Sequence, residues 1–154
     1  ALWMLGDNIT TVSWPYSGEI DIMEMVGGSG LESRVVGTAH WNNGGTFQAD
    51  GVTKQPYSPA SFGDTYTLSG GETLANAFHV FSFVWTSSQM TWYIDDVQYH
   101  SMAIDGGAEL SAFQKEFFLI FNVAVGGNWP GSPNANTNFP QRMLVDYVRV
   151  FQQN

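Results

Sequence analysis

The chain has 154 residues, of which 44% are hydrophobic and 15% are aromatic, which suffices for one compact domain over residues 1–154 with a sizeable core. Only 5 Lys+Arg stand against 14 Asp+Glu, so the net charge of −9 disfavours nucleic acid and anionic membrane surfaces as partners and favours an uncharged one. Cysteine is absent, which excludes thiol nucleophiles and Cys-bound zinc.

The apolar runs are of strand length, shorter than the roughly 18 residues that a membrane-spanning helix needs. We therefore expect a soluble protein that makes no membrane contact. The first five residues have neither the positively charged start nor the cleavage-like end of a signal peptide, so localisation has to be inferred from function.

Seven segments rich in β-branched and aromatic residues are bounded by turn formers and predict strands, at residues 19–26, 33–41, 78–86, 90–94, 97–103, 116–125 and 143–151. Short turns within 78–103 predict a three-stranded meander there. Residues 108–115 suggest one helical turn. Long surface loops are predicted where Gly, Asn, Pro and Ser cluster, at 27–30, 42–45, 55–63 and 126–138.

This pattern predicts an all-β protein, an antiparallel β-sandwich of the jelly-roll kind. A complete jelly roll needs more strands than these seven. The chain also begins inside a strand-like apolar stretch with no polar lead-in. We therefore expect N-terminal strands to be missing from this polypeptide, and without them we expect no closed sandwich, because strand edges and apolar core would be exposed.

The most informative segment is residues 17–26, where carboxylates alternate with large apolar residues. Alternation places Glu19 and Asp21 on one face, but five steps from Glu19 would put Glu24 on the apolar face. A β-bulge at Ile22 or Met23 would return Glu24 to the carboxylate face. The sequence therefore predicts a bulged strand with three acids in line on one surface.

Three neighbouring carboxylates repel one another, so at least one should keep its proton to a higher pH. Glycoside hydrolysis with retention uses such a pair, one ionised nucleophile and one protonated general acid at a separation of roughly 5 to 5.5 Å. The alternative is the solvated face of an ordinary amphipathic strand. Only 5 basic residues are present to pair with these acids, which disfavours a cluster kept for ion pairing.

The segments 1–5 (ALWML), 14–24 (WPYSGEIDIME), 122–131 (NVAVGGNWPG) and 146–150 (DYVRV) resemble the laminarinase-type members of glycoside hydrolase family 16, endo-β-1,3-glucanases. The resemblance covers nearly the whole chain and implies a jelly roll with a substrate cleft across its concave sheet. It also implies that Glu19 is the nucleophile, Glu24 the general acid/base, and Asp21 the residue that tunes their protonation. The extra residue before Glu24 is typical of laminarinases, carrageenases and agarases, whereas specialised mixed-linkage glucanases lack it.

The resemblance departs at the front, where roughly the first third of the usual domain is not present. Whether those strands were removed, lie on a second polypeptide, or never existed stays open. The implied protein is secreted, acts on a neutral polysaccharide and needs no cofactor for catalysis. Asp146 resembles a residue that helps to bind a structural calcium ion in several members, and the alternative is an ordinary polar strand position.

Other residues are candidates for substrate contact. Trp14 immediately precedes the acid strand, and Trp129 lies in a loop rich in Gly and Asn. The indole face of either residue could stack on a sugar ring. His40 ends the strand after the acids and could donate a hydrogen bond to substrate, and Asn122 could bind substrate or satisfy backbone groups. We expect core packing for the remaining strand tryptophans and structural roles for two histidines, namely Trp3, Trp85, Trp92, His79 and His100.

Two functional alternatives remain open at this point. One is a mixed-linkage β-1,3-1,4-glucanase of the same family, with agarase or carrageenase disfavoured because basic residues are scarce. The other is a non-catalytic β-glucan-binding module on the same fold. Such modules typically lose the acidic motif, so Glu19, Asp21 and Glu24 together favour an enzyme.

Overall fold

The computed structural model describes residues 1–28 and 30–152. Ser29, within the loop predicted at 27–30, lies outside the described residues. The described chain forms eight strands: β1 Leu2–Gly6, β2 Glu19–Glu24, β3 Arg34–Asn42, β4 Pro59–Thr67, β5 Phe81–Trp85, β6 Gln89–Ile94, β7 Val97–Ala103 and β8 Phe117–Phe121. A short helix α1 spans Ile9–Val12, and a 3₁₀ helix spans Ala108–Gln114.

The strands form two antiparallel sheets. The larger sheet has the order β4-β3-β2-β1-β8, and the smaller has the order β5-β6-β7. The smaller sheet is the meander predicted for 78–103, and its β6–β7 turn has positive φ at Asp95 and Asp96, as a tight two-residue hairpin requires. An all-β antiparallel sandwich is therefore confirmed. No described helix is long and apolar enough to cross a membrane.

The core lies between the two sheets. Ile20 of β2 is fully buried and packs with Met90 and Trp92 of β6 and with Phe113 of the 3₁₀ helix. Trp85 packs against the edge of this cluster, so the core positions predicted for Trp85 and Trp92 are confirmed. On β1 and β2 the other face points away from the core, and that face carries the acids.

Two predicted segments were wrong. The loop predicted at 55–63 ends in β4, which pairs along its whole length with β3. Residues 143–151, predicted as a strand, form no strand in the structure. These residues carry exposed apolar side chains, including Val150 at 81% and Phe151 at 86% exposure. Their strand propensity is high, but a strand also needs a partner ladder, and no described strand pairs with them.

The sandwich is open over β8. Leu119 and Phe121 lie opposite Met4 and Leu2 of β1, which places them on the core-facing side of the larger sheet. They nevertheless remain 38% and 37% exposed, because the three-stranded sheet does not cover this edge. The expected exposure of apolar surface is therefore present in the described chain.

Candidate active site

The strand β2 contains a bulge at the predicted position. Asp21 lies opposite Thr38 of β3, and Glu24 lies opposite Val36, so β2 takes three steps where β3 takes two. On the other side β2 passes from Asp21 to Met23 while β1 takes one step. One extra residue is thus inserted at positions 22–23, which confirms the predicted bulge. The inserted residue restores the parity that turns Glu24 to the face of Glu19 and Asp21.

The three acids differ in their surroundings. Asp21 is 2% exposed, whereas Glu19 and Glu24 on either side of it are half-buried. His40 lies opposite Glu19, and its Nε2 is 3.1 Å from Oδ2 of Asp21. The indole of Trp14 donates a hydrogen bond to the Glu19 carboxylate. The central acid is therefore enclosed and paired, and the flanking acids open onto the surface.

Burial and mutual repulsion raise the pKa of both flanking acids. Burial, followed by the charge of Asp21, raises the pKa of Glu19 to about 7, although His40 and the hydrogen bond from Trp14 oppose this rise. Burial and then Asp21 likewise raise the pKa of Glu24 to about 7. Near neutral pH each carboxyl therefore samples both protonation states, as an acid–base pair requires. The equal pKa values do not themselves assign the two roles.

His40 carries the complementary charge. Burial alone would lower the pKa of the imidazole, but the hydrogen bond and charge of Asp21, with further attraction from Glu19 and Glu24, raise it above its ordinary value. In the described part of the chain, Glu19, Asp21 and His40 are also the one group of three side chains close enough to share a metal ion, with ligand atoms within 4.8 Å of one another.

Two exposed tryptophans lie at opposite ends of the acid row. Trp14 is 41% exposed, and its ring is 6.3 Å from that of His40, beside Glu19. Trp129 is 53% exposed and lines a shallow depression with Val36, the residue opposite Glu24. The predicted sugar-contact tryptophans therefore both reach the acid face, where flat apolar surfaces are available to a sugar ring.

Trp3 lies on the acid face, so its predicted core position was wrong. It is directly opposite Asp21 in the β1–β2 pair, and its Nε1 donates a 2.9 Å hydrogen bond to Oδ1 of Asn122. Asn122 itself is exposed just after β8. The alternation of Leu2 and Met4 toward the core contained this signal, because it leaves the residue between them on the opposite face.

Asp146 stands apart from this cluster. It is exposed in the segment that forms no strand, and no group of potential metal ligands in the described residues includes it. A calcium ion takes six to eight oxygen ligands, so one exposed carboxylate does not make a site. Asp146 therefore supplies one candidate oxygen ligand, and the described residues place no group of three acidic or histidine side chains around it.

The segment carrying Trp14 is fastened by the loop between β3 and β4. The Lys54 ammonium contacts the carbonyl oxygen of Val12 and lies 5.1 Å from the ring centre of Tyr16. The hydroxyl of Tyr16 in turn donates a 2.9 Å hydrogen bond to the carbonyl of Gln55. Residues on both sides of Trp14 are thus held, Val12 through its carbonyl and Tyr16 through its side chain, which favours the position of the indole beside Glu19.

The sequence of this chain is similar to a known protein family and to several known proteins. The chain matches the family described as Glycosyl hydrolases family 16 over residues 1–149. It is 37% identical to the clotting factor G alpha subunit of Tachypleus tridentatus over 97% of this chain and 20% of that protein. It is 39% identical to glucan endo-1,3-beta-glucosidase A1 of Niallia circulans over 99% of this chain and 22% of that protein.

Among solved structures, the laminarinase catalytic domain of Thermotoga maritima superposes with a TM-score of 0.73 at 43% identity. That superposition covers 90% of this chain and 51% of the other. The chain thus spans about half of that domain and about a fifth of the two relatives. The likeness confirms the predicted jelly-roll sandwich, and, with a family match over nearly the whole length, the chain belongs to glycoside hydrolase family 16.

Proposed function

We propose that this chain carries the catalytic centre of a retaining endo-glycosidase that hydrolyses β-1,3-glucosidic bonds in laminarin-like β-glucan. The observation that supports it is the bulged strand β2, which presents Glu19, Asp21 and Glu24 on one face. The names of the Niallia and Thermotoga relatives support the choice of substrate. A net charge of −9 fits a neutral polysaccharide better than a sulfated one.

In this proposal Glu19 attacks the anomeric carbon while Glu24 donates its proton to the departing glycosidic oxygen. A covalent glycosyl-enzyme forms, and Glu24, now a carboxylate, takes a proton from the water that releases the sugar. The hydrogen bond from Trp14 and the charge of His40 favour the ionised form of Glu19. The charge of Asp21 raises the pKa of Glu24 and helps to keep it protonated.

We further propose that substrate lies across the acid row. Trp14 and Trp129 would stack on sugar rings at the two ends, because both indoles are exposed there. His40 would donate to a sugar hydroxyl from beside Asp21. Asn122 would bind through its amide nitrogen, since its oxygen already accepts a hydrogen bond from Trp3.

Site substitution tests these roles in the protein that carries this chain. Glu19→Gln should lose turnover by several orders of magnitude and still bind laminari-oligosaccharides, because a covalent role is removed and not a binding surface. Glu72→Gln is the control, since this exposed carboxylate lies in the connection between β4 and β5. Proton NMR of the first product should show the β-anomer. Normal turnover in Glu19→Gln, or an α-anomer formed first, would contradict the proposal.

Parallel digestion of laminarin, lichenan and agarose separates the substrate classes. Rapid release from laminarin supports the β-1,3-glucanase, and faster release from lichenan supports the mixed-linkage alternative. Binding of laminarin without any hydrolysis would instead indicate a β-glucan-binding module. The intact acid row favours the enzyme, because a module that only binds has no use for two carboxyls of raised pKa.

The remaining aspects of the proposal concern the whole protein. A polymeric substrate implies secretion, and residues 1–154 would form part of a single catalytic domain. A calcium ion at Asp146 stays a prediction, tested by the effect of a chelator on the melting temperature. Light scattering tests whether a second polypeptide joins the chain.

A further inference from the structure

The bulge of β2 is held from the opposite sheet. The indole N–H of Trp92 donates a 2.9 Å hydrogen bond to the carbonyl of Asp21, and the hydroxyl of Tyr99 donates a 3.2 Å bond to the carbonyl of Ile22. These two carbonyls belong to the residues at which the β2 register departs from that of its neighbours. A bulge interrupts the regular ladder, so its backbone groups need partners from elsewhere.

Tyr99 reaches this position because β7 has a bulge of its own. Trp92 lies opposite His100, but the next residue, Tyr93, lies opposite Gln98, so Tyr99 is the extra residue. Side chains alternate along a regular strand, and His100 is buried, so a regular β7 would turn Tyr99 away from the core. Instead Tyr99 packs against the core. A bulge in one sheet therefore meets a bulge in the other.

Gly37 of β3 leaves the space that this contact needs. A Cβ atom at Gly37 would lie 2.5 Å from Oη of Tyr99 and 2.7 Å from Cδ1 of Trp92. Both distances are far inside van der Waals contact. The glycine therefore lets the two donors pass β3 and reach the backbone of β2.

We infer that Tyr99 is a positioning residue for the reaction, which fixes the β2 bulge through the Ile22 carbonyl and thereby aims Glu24 at the acid face. Only Met23 separates Ile22 from Glu24, and the face to which Glu24 points depends on the bulge. Burial, with the nearby charge of Asp64, raises the pKa of Tyr99 above its ordinary value, so the hydroxyl remains a donor throughout the working pH range. The inference rests on the proposed function only for its effect on turnover.

The test is Tyr99→Phe, which keeps the ring and removes the donor. The matched control is Tyr93→Phe, in the same sheet and with no hydrogen bond from its hydroxyl to the described residues. Glu24 is titrated by NMR in protein with ¹³C-labelled glutamate. We expect Tyr99→Phe to lower the pKa of Glu24 from about 7 toward its ordinary 4.5, because the carboxyl moves toward solvent. Tyr93→Phe should leave it unchanged.

Kinetics should follow the titration. We expect Tyr99→Phe to reduce kcat about tenfold or more with little change in KM, because the general acid is misplaced while the sugar contacts remain. The alkaline limb of kcat/KM should move to lower pH with the pKa of Glu24. If Tyr99→Phe lowers the pKa of Glu24 but leaves kcat unchanged, Tyr99 positions Glu24 but Glu24 is not the general acid. The further inference and the proposed function can therefore fail independently.

The second test combines Tyr99→Phe with deletion of Met23, which removes the extra residue of the β2 bulge. In this deletion variant, Tyr99→Phe should change neither the pKa of Glu24 nor kcat. If Tyr99→Phe lowers the melting temperature equally in the parent and in the Met23 deletion variant, Tyr99 contributes only to general core packing, and the inference is overturned. An unchanged Glu24 titration in Tyr99→Phe would overturn it as well. The melting comparison decides even if Tyr99→Phe is too unstable to titrate.

Discussion

Replacing Glu24 by Gln should stabilise the fold at alkaline pH and leave it unchanged in acid. Glu24 is half-buried beside Asp21, and burial followed by that charge raises its pKa from 4.5 to about 7. Because the folded-state pKa lies above the unfolded one, its contribution to stability is complete below about pH 4.5 and is lost as pH rises through about 7. The amide of the Glu24→Gln variant does not ionise and would escape that loss.

The magnitude follows from the same shift. One pKa unit corresponds to about 1.4 kcal/mol, so the full rise would correspond to about 3 kcal/mol. The carboxyl keeps part of its contact with solvent, and screening reduces the effect to about 1–2 kcal/mol. For a chain of this size that is roughly 3–6 °C in melting temperature.

The assay is a series of thermal melts from pH 4 to pH 8.5 on the parent, Glu24→Gln and the exposed control Glu72→Gln. The Glu24→Gln curve should coincide with the parent at pH 4 and lie above it at pH 8.5, and the control should follow the parent throughout. A constant difference between Glu24→Gln and the parent at every pH would refute the reasoning, since it would reflect packing and not ionisation.

Three further predictions concern the same strand and its surroundings. Deleting Met23 should leave a folded protein of altered linkage preference or reduced rate in melts and glucan hydrolysis, because four regular steps from Glu19 still place Glu24 on the acid face without a bulge. A deletion variant that fails to fold would contradict this. Ile20→Ala, at a position with 0% exposure, should lower the free energy of unfolding in urea by about 2–5 kcal/mol, and a loss below about 1 kcal/mol would show that the core collapses around it. Trp14→Phe removes a hydrogen bond that lowers the pKa of Glu19, so the acidic limb of kcat/KM should move to higher pH; an unmoved limb would show that the bond is not made in solution.

The acid row could be predicted from sequence because its signal is local. Glu19, Asp21 and Glu24 can lie on one face of a strand only if the strand contains one extra, bulged residue. The structure has this bulge between Asp21 and Glu24, as predicted. The meander of the smaller sheet was equally local, since its turns are short. Both features depend on residues that are close in the chain.

The features that were missed depend on partners distant in sequence. β4 contains Pro59 and Gly63, which favour a loop, yet its pairing with β3 makes it a strand. Residues 143–151 have the composition of a strand and no ladder to join among the described residues. Alternation with Leu2 and Met4 places Trp3 on the face away from the core, but only the pairing of β1 with β2 puts it beside Asp21. In each case tertiary pairing overrode the local preference of the residues.

The fastening of Trp14 by Lys54 has a consequence for protein engineering. The indole that borders the acids is presented by one segment but anchored by another, about forty residues later, so the placement of the first depends on the second. A graft that brings the Trp14 segment from a relative without its β3–β4 loop would import the tryptophan and lose its anchor. Chimeras that exchange both segments together should therefore keep the indole in place beside Glu19, whereas exchange of either one alone should leave it unanchored.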